Sequence, residues 1–172
     1  MQIAQANFIA FDSSFFDIIG PNATCEKMFN VSMAVHEAPV WIPDTNTIIV
    51  SPQNQSYQII IDLNSDPVCF PSKISDILPT MSNLTADPPV DSINGAWLLN
   101  GTIIWGTNGI NMTAPPGLFT FDPKTNKSST LLNNYRGLRF ATPDDLVVDQ
   151  FRNILFTDAP FAYVGLSVSI LT

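Results

Sequence analysis

Acidic side chains stand directly before short hydrophobic runs at two places in this chain. Glu37 precedes the run 38–41, and the adjacent acids Asp144 and Asp145 precede the run 146–148. Carboxylate oxygens at strand ends suit a hard cation such as calcium, which collects several oxygen ligands from separated positions. The residues alone leave a second interpretation open, because acidic loops beside β-hairpins are commonly only solvated.

Short β-rich runs separated by turn residues surround these acids and would have to position them. The clearest turn is Asn100-Gly101, a strong two-residue hairpin signal. Repeated hairpins without a long helical period predict an all-β sandwich, barrel or propeller. We expect one helical turn, over Ser72–Leu78, and a Pro-rich loop over Pro79–Asp91. The predicted strand pairs are Ala38–Ile42 with Thr47–Ser51, Ala96–Leu99 with Thr102–Gly106, Leu118–Phe121 with Ser128–Leu132 and Leu146–Asp149 with Ile154–Thr157, and Ser56–Leu63 is a further strand.

A set of short motifs, in order along the chain, resembles the gluconolactonase family that includes regucalcin and luciferin-regenerating enzyme. The likeness is strongest to its fungal lactonohydrolase branch. Each motif is weak alone, but their order over residues 35–161 is specific. The matching segments are Glu37–Trp41, Asn94-Gly95, Gly117–Thr125, Leu131–Tyr135, Arg139–Val148 and Phe156–Phe161.

The resemblance implies a six-bladed β-propeller with a divalent cation, calcium, at one mouth of the channel, and hydrolysis of small sugar or aldonate lactones. A blade needs roughly 40 to 50 residues, so the 172 residues of this chain predict about three to four blades. We therefore expect an N-terminal segment over 1–34 and a partial propeller over 35–172 that is truncated at its C-terminus. The apolar tail Tyr163–Thr172 departs from the family pattern.

The resemblance also assigns roles to individual residues. It implies that Glu37 and Asp144 bind the metal, although the family usually has Asn at the position of Asp144. Asn94 matches a position that lines the channel and contacts substrate, but an Asn-Gly pair is also an ordinary turn. Arg139 contacts substrate or stacks on an aromatic ring. Two further acids have supporting roles: Asp145 is expected to hydrogen-bond backbone and fix its loop, and Asp158 to be structural or part of a secondary ion site.

No catalytic residue is identified from the sequence. His36 is the single histidine, and without a nucleophile elbow it makes no Ser-His-Asp triad. The resemblance places the general base and the remaining metal ligands in blades that this chain lacks. Two functions therefore stay open. One is part of a calcium-dependent lactonohydrolase that is inactive as this chain, and the other is a non-enzymatic propeller-like binding or scaffold module.

The charge and hydrophobicity of the chain exclude two classes of partner. The net charge is -8 and 45% of the residues are hydrophobic. A nucleic-acid-binding protein needs a basic surface, and so does a protein that binds an anionic membrane surface. No run approaches 18 apolar residues, so no transmembrane helix is predicted. The expected partner is a small-molecule lactone.

Seven Asn-x-Ser/Thr sequons indicate passage through a secretory pathway, whereas roughly two to three are expected by chance. The alternative is that Asn, Ser and Thr simply share turns. Residues 1–20 contain no Lys or Arg and form no signal peptide, so we expect that the natural N-terminus is missing. Cys25 and Cys69 either pair or remain free thiols. The sequons begin at Asn22, Asn30, Asn54, Asn83, Asn100, Asn111 and Asn126.

Overall fold

The computed structural model describes residues 3–5, 8–23, 35–52, 54–64, 80–109 and 114–160. The chain divides into two compact units, Met1–Ser32 and Met33–Thr172. Several sequence predictions lie outside the described residues: the helical turn Ser72–Leu78, the pairing of Cys25 with Cys69, the sequons at Asn30 and Asn111, and the tail Tyr163–Thr172.

The first unit contains a short antiparallel strand pair and one helix. Strand β1 (Ile3–Gln5) pairs with β2 (Phe8–Ala10), and helix α1 spans Ser14–Ile19. The Asp12 carboxylate accepts a hydrogen bond from the Ser14 amide at 2.9 Å just before the helix. This bond holds the pKa of Asp12 below its usual value. Among the described residues, no helix is long and apolar enough to cross a membrane.

The second unit is built from strands that follow one another along the chain. Its strands are β3 (Val35–Ile42), β4 (Thr47–Pro52), β5 (Gln58–Asp62), β6 (Thr80–Leu84), β7 (Ile93–Leu99), β8 (Thr102–Thr107), β9 (Gly117–Asp122), β10 (Lys127–Leu132), β11 (Asn134–Tyr135), β12 (Leu138–Arg139), β13 (Pro143–Val148) and β14 (Ile154–Asp158).

These strands form radial blades, which confirms the predicted partial all-β propeller. Strands β3-β4-β5-β6 form one antiparallel meander, blade 1, and β7-β8-β9-β10 form a second, blade 2. The hairpin β13-β14 is the described part of blade 3, and β11-β12 is a small hairpin before it. The first strands of the three blades lie side by side, with β7 between β3 and β13. Each blade therefore begins at its innermost strand.

Asparagine and glycine set the hairpin turns of blades 1 and 2. Three asparagines in these turns have positive φ angles: 50° at Asn46, 51° at Asn100 and 59° at Asn126. Gly101 follows Asn100 with a φ of 83°. Asn tolerates the left-handed region better than other non-glycine residues, and glycine enters it without steric cost. The predicted Asn100-Gly101 hairpin is confirmed.

Apolar residues fill the two interfaces between neighbouring blades. Between blades 1 and 2, the indole of Trp105 stacks on the ring of Phe121 with centroids 4.5 Å apart. Their neighbours from blade 1 include Val40, Ile42 and Ile49. A second cluster joins blade 2 to blade 3. Since side chains alternate between the faces of a strand, blade 2 packs against a neighbour on both faces.

Strand β6 corrects one sequence prediction. Residues Thr80–Leu84 fall within the segment expected to be an inter-blade loop, yet they pair with β5 as the outermost strand of blade 1. Four of the five residues are exposed. An outer edge strand has no core face to mark it with alternating hydrophobic residues, so the sequence pattern gave no signal.

The remainder of the predicted loop fastens blade 1 to the outer strand of blade 2. The Asp87 amide donates to the carbonyl of Asn126 at 2.9 Å, and the Ser128 amide donates to the carbonyl of Asp87 at 3.0 Å. The Asn126 side-chain amide donates to the carbonyl of Thr85 at 2.9 Å. Lys127 forms an ion pair with Asp87. This segment therefore covers the edge of β10, which would otherwise be open to pairing.

Two glycines let blade 3 approach blade 2 closely. Gly95 and Gly106 face each other across the β7-β8 pair. A Cβ atom would lie 2.1 Å from the carbonyl oxygen of Asp144 at Gly95, and 2.7 Å from that oxygen at Gly106. Both distances are shorter than van der Waals contact, so only glycine admits the backbone of β13 at this point.

We expect Gly95→Ala to lower the free energy of unfolding by about 1–3 kcal/mol, because the added methyl forces the Asp144 backbone away. The matched control is Gly137→Asn, since Gly137 has a φ of 81° and no atom within 4 Å of its Cβ position. Asn enters this backbone region at a smaller cost than other non-glycine residues, so the control should lose less stability than the Gly95 variant. Urea unfolding measures both. Equal stability of the Gly95 variant and wild type would contradict the close approach.

Candidate functional site

Three oxygen-bearing side chains occupy equivalent positions on the three innermost strands. Glu37 lies five residues before Ile42, the last residue of β3, and Asn94 lies five residues before Leu99, the last residue of β7. In blade 3, Asp144 lies five residues before Asp149, whose amide closes the β13-β14 hairpin. Because the innermost strands lie side by side, the three positions fall at the same end of neighbouring blades. We call Glu37, Asn94 and Asp144 the trio.

Asn94 and Asp144 are in direct contact. The side-chain amide of Asn94 donates a hydrogen bond to the Asp144 carboxylate. Asn94 is only 4% exposed, so its carboxamide is held by the surrounding blade. This bond fixes the direction of the carboxylate, and it depends on the close approach that Gly95 and Gly106 permit. The sequence predicted a substrate role for Asn94 but gave no signal of this contact.

Glu37 lies on β3, the innermost strand of blade 1, near enough to Asp144 to affect its pKa. The side chain of Glu37 is half-buried, and the strand register is interrupted on both sides of it. The next residue, Ala38, is buried with a φ of 59°, a strained value for alanine. A β-bulge re-aims side chains in this way. His36 precedes Glu37 and is exposed.

The environment raises the pKa of Asp144. Desolvation by burial is the largest cause, and repulsion from the carboxylates of Asp145 and Glu37 adds to it. The charge of His36 acts in the opposite direction. Two carboxylates that repel each other across a half-buried space favour a cation between them. Glu37 therefore lies close enough to Asp144 to raise its pKa, and the binding of a metal by these two residues stays a prediction.

The donor set of the trio suits a hard cation. Two carboxylates and a carboxamide offer oxygen ligands, which calcium prefers over nitrogen and sulfur. Among residues 35–64 and 80–160, as far as they are described, no cluster of three or more His, Cys, Asp or Glu side chains is placed to hold a metal. The trio contains only two such residues, so a cation there would need further oxygen ligands.

Asp158, rather than Asp145, fixes the loop that leads into β13. The Asp158 carboxylate accepts hydrogen bonds from the amides of Ala141 and Thr142, both at 2.9 Å. Asp145 is exposed, and its carboxylate accepts no hydrogen bond within the described part of the chain. The expected loop-fixing role of Asp145 is therefore wrong, and the structural role expected of Asp158 is observed.

Arg139 lies in a separate small hairpin. It pairs with Asn134 across β11-β12 and is exposed. Its neighbour Arg136 lies over the ring of Tyr135, 5.3 Å from the centroid. The role of Arg139 in substrate binding stays a prediction.

The sequons differ in how accessible their asparagines are. Asn22, Asn54, Asn83 and Asn100 are exposed. Asn126 differs, because its amide nitrogen donates to the carbonyl of Thr85 and its side-chain oxygen is buried. The nitrogen that would carry a glycan is thus used in the contact between blades.

We expect the raised pKa of Asp144 to make stability depend on pH. The folded state favours the protonated carboxyl, so the free energy of unfolding falls as pH rises from the ordinary range of an aspartic acid through the raised pKa. Asp144→Asn removes this effect. In chelator-containing buffer, its melting temperature should therefore rise relative to wild type between pH 3 and pH 7.

Asp17→Asn controls for the change in net charge, because Asp17 is an exposed residue of α1 in the other unit. A constant difference in melting temperature between Asp144→Asn and wild type over this range would contradict the raised pKa.

Comparison with known proteins identifies the relatives of this chain. Lactonohydrolase oryL of Aspergillus oryzae is 37% identical over 164 residues, which cover 91% of this chain and 35% of that protein. Lactonohydrolase oryH of the same organism is 33% identical over 147 residues, covering 81% of this chain and 29% of that protein. A gluconolactonase of Zymomonas mobilis is 26% identical over 135 residues, covering 77% of this chain and 35% of that protein.

No protein-family model matches the chain. The names of these relatives nevertheless agree with the family that the sequence motifs resemble. The predicted resemblance is confirmed: this chain is a relative of the fungal lactonohydrolases and of gluconolactonase, and it spans about a third of their length.

Proposed function

We propose that this chain is part of a secreted, calcium-dependent hydrolase of small sugar or aldonate lactones. The observation that carries the proposal is the trio, which places two carboxylates and a carboxamide at equivalent positions of three neighbouring innermost strands. The names of the relatives, lactonohydrolase and gluconolactonase, support the reaction class.

Glu37 and Asp144 would hold the cation, and Asn94 would orient Asp144. The hydrogen bond from Asn94 leaves the second oxygen of the Asp144 carboxylate available as a ligand. Bound there, a calcium ion supplies Lewis acidity to a lactone carbonyl and to an attacking water. The carboxylate of Asp144 adds a negative charge at a position where the gluconolactonase family, which this sequence resembles, usually has a neutral Asn. We infer that this charge strengthens cation binding and alters substrate preference.

The trio provides only part of a working site. Calcium takes six to eight oxygen ligands, and two carboxylate arms with water would hold it loosely. The resemblance assigns the remaining ligands and the general base to other blades. We therefore expect this chain alone to show no useful turnover. Lactone hydrolysis belongs to a protein that contains those blades.

Secretory processing is a further part of the proposal. Four exposed sequon asparagines support it, namely Asn22, Asn54, Asn83 and Asn100. Asn126 is expected to remain unmodified, because its amide joins blade 1 to blade 2. Enzymatic deglycosylation of protein made in a eukaryotic host should shift its gel mobility. If the gel mobility does not shift, the excess of sequons is a coincidence of composition.

The proposed chemistry predicts that Glu37→Gln lowers lactone hydrolysis by about 10- to 100-fold in a protein that contains all the blades, because it removes one charged ligand. Titration at constant pH of a small aldonolactone, with and without chelator, measures the rate. Asp17→Asn, an equal charge change at an exposed position of α1, should leave the rate unchanged.

Three outcomes would contradict the proposal. Chelator-sensitive hydrolysis by the 172-residue chain alone would show that it is complete. Chelator-sensitive hydrolysis that survives Glu37→Gln would remove Glu37 from the metal site. If the protein that contains all the blades hydrolyses no lactone, the alternative function is favoured, namely a non-enzymatic binding or scaffold module.

A further inference from the structure

A crevice lies between blades 1 and 2, at the end of the strands opposite the trio. It forms where the β3-β4 turn of blade 1 meets the β7-β8 and β9-β10 turns of blade 2. Its volume is about 430 Å³, which falls in the range of roughly 300 to 1,000 Å³ that is typical of ligand sites. The crevice therefore has room for a small group.

Apolar residues make up much of the crevice lining. Ile42 is buried in the core between the two blades, and Leu98 packs against that core. Both residues line the crevice, which therefore opens onto the edge of the core. Pro43 and Pro123 line it from the turns of blade 1 and blade 2. Covering such apolar surface is favourable, because it removes that surface from water.

One ion pair joins the two blades beside the crevice. The Lys124 ammonium lies 3.2 Å from the Asp44 carboxylate, and these side chains are 71% and 64% exposed, respectively. An ion pair that is so exposed contributes little to stability, because water screens it. An additional apolar contact in the crevice would therefore strengthen the interface at this end of the blades.

A glycosylation sequon lies on the lining of the crevice. The sequon is Asn100-Gly101-Thr102, and both Asn100 and Gly101 line the crevice. Asn100 is exposed. No atom lies within 4 Å of the position that a Cβ atom would take at Gly101, so the space beside the turn is open. A sugar attached to the Asn100 side chain would therefore begin next to the apolar lining.

We propose that the first N-acetylglucosamine of a glycan on Asn100 packs into this crevice and joins blade 1 to blade 2. The C–H face of the sugar ring and its acetamido methyl group cover Leu98, Pro43 and Pro123, which removes apolar surface from water. The hydroxyl groups of the sugar remain in contact with solvent. The other sugars of the glycan extend from the end of the blades opposite the trio, so they leave the trio accessible.

This inference rests on the secretory processing proposed above, and mass spectrometry of glycopeptides separates the two claims. The full chain is made with a secretion signal in a eukaryotic host, and the modified asparagines are identified. We expect Asn100 to be among them. If no sequon is occupied, both claims are overturned. If other sequons are occupied and Asn100 is not, only the present inference is overturned.

Melting temperatures test the packing of the first sugar. An endoglycosidase trims each glycan of the secreted chain to a single N-acetylglucosamine, and the reference is the same chain made in bacteria without glycans. The trimmed wild type should melt about 2–4 °C higher than its reference, the shift that one modest contact gives in a chain of this size. Thr102→Ala deletes the sequon but keeps Asn100, so it should lose this gain.

Ser56→Ala is the matched control, because it deletes the sequon at Asn54. Asn54 is also an exposed residue with a positive φ, 56°, but it lies outside the crevice. Each variant is compared with its own bacterial reference, so the effect of the substitution itself cancels. Ser56→Ala should keep the gain in melting temperature. An equal gain in wild type and Thr102→Ala would overturn the packing.

X-ray diffraction from crystals of the trimmed wild type provides a test that needs no substitution. We expect electron density for the sugar on Asn100 inside the crevice, with ring carbons within about 4.0–4.5 Å of side-chain atoms of both Leu98 and Pro123, the distance of apolar contact. A sugar ring that extends into solvent and contacts neither residue would overturn the proposal.

Discussion

The close approach of the β13 backbone to the glycine pair of blade 2 is the constraint on which the site depends. Gly95 and Gly106 face each other on β7 and β8, and the carbonyl of Asp144 occupies the space that side chains would fill. This approach brings the Asp144 carboxylate within reach of the Asn94 amide. It also brings Leu146 onto the cluster that joins the two blades. Packing and site geometry therefore follow from the same contact.

The site holds negative charge at a cost to the folded chain. Burial is the largest cause that raises the pKa of Asp144, and repulsion from the carboxylates of Asp145 and Glu37 adds to it. An enclosed pair of like charges is characteristic of functional sites, where stability is given up for binding. A cation would remove the repulsion, so binding and stability are expected to be linked. The neutral carboxamide of Asn94 orients the Asp144 carboxylate and adds no charge to the site.

The local parts of this structure could be predicted from the sequence, and the long-range parts could not. The strand pairs of blades 1 and 2 and the Asn100-Gly101 turn follow from hydrophobic alternation and turn chemistry. Strand β6 escaped prediction because an exposed edge strand carries no such alternation. The bond between Asn94 and Asp144 joins residues 50 positions apart. It requires a blade register that only the folded chain defines. The same holds for the hydrogen bonds that the Asp158 carboxylate accepts from the amides of the loop before β13.

The central claim is that Glu37, Asn94 and Asp144 form one oxygen-lined cation site. X-ray diffraction from crystals of this chain soaked in a terbium salt tests it most directly, because terbium substitutes for calcium and scatters anomalously. We expect an anomalous peak about 2.3–2.6 Å from carboxylate oxygens of both Glu37 and Asp144, with the Asn94 amide still bonded to Asp144. Carboxylates of Glu37 and Asp144 on opposite faces of the blades, or terbium bound only at other surface acids, would contradict the claim.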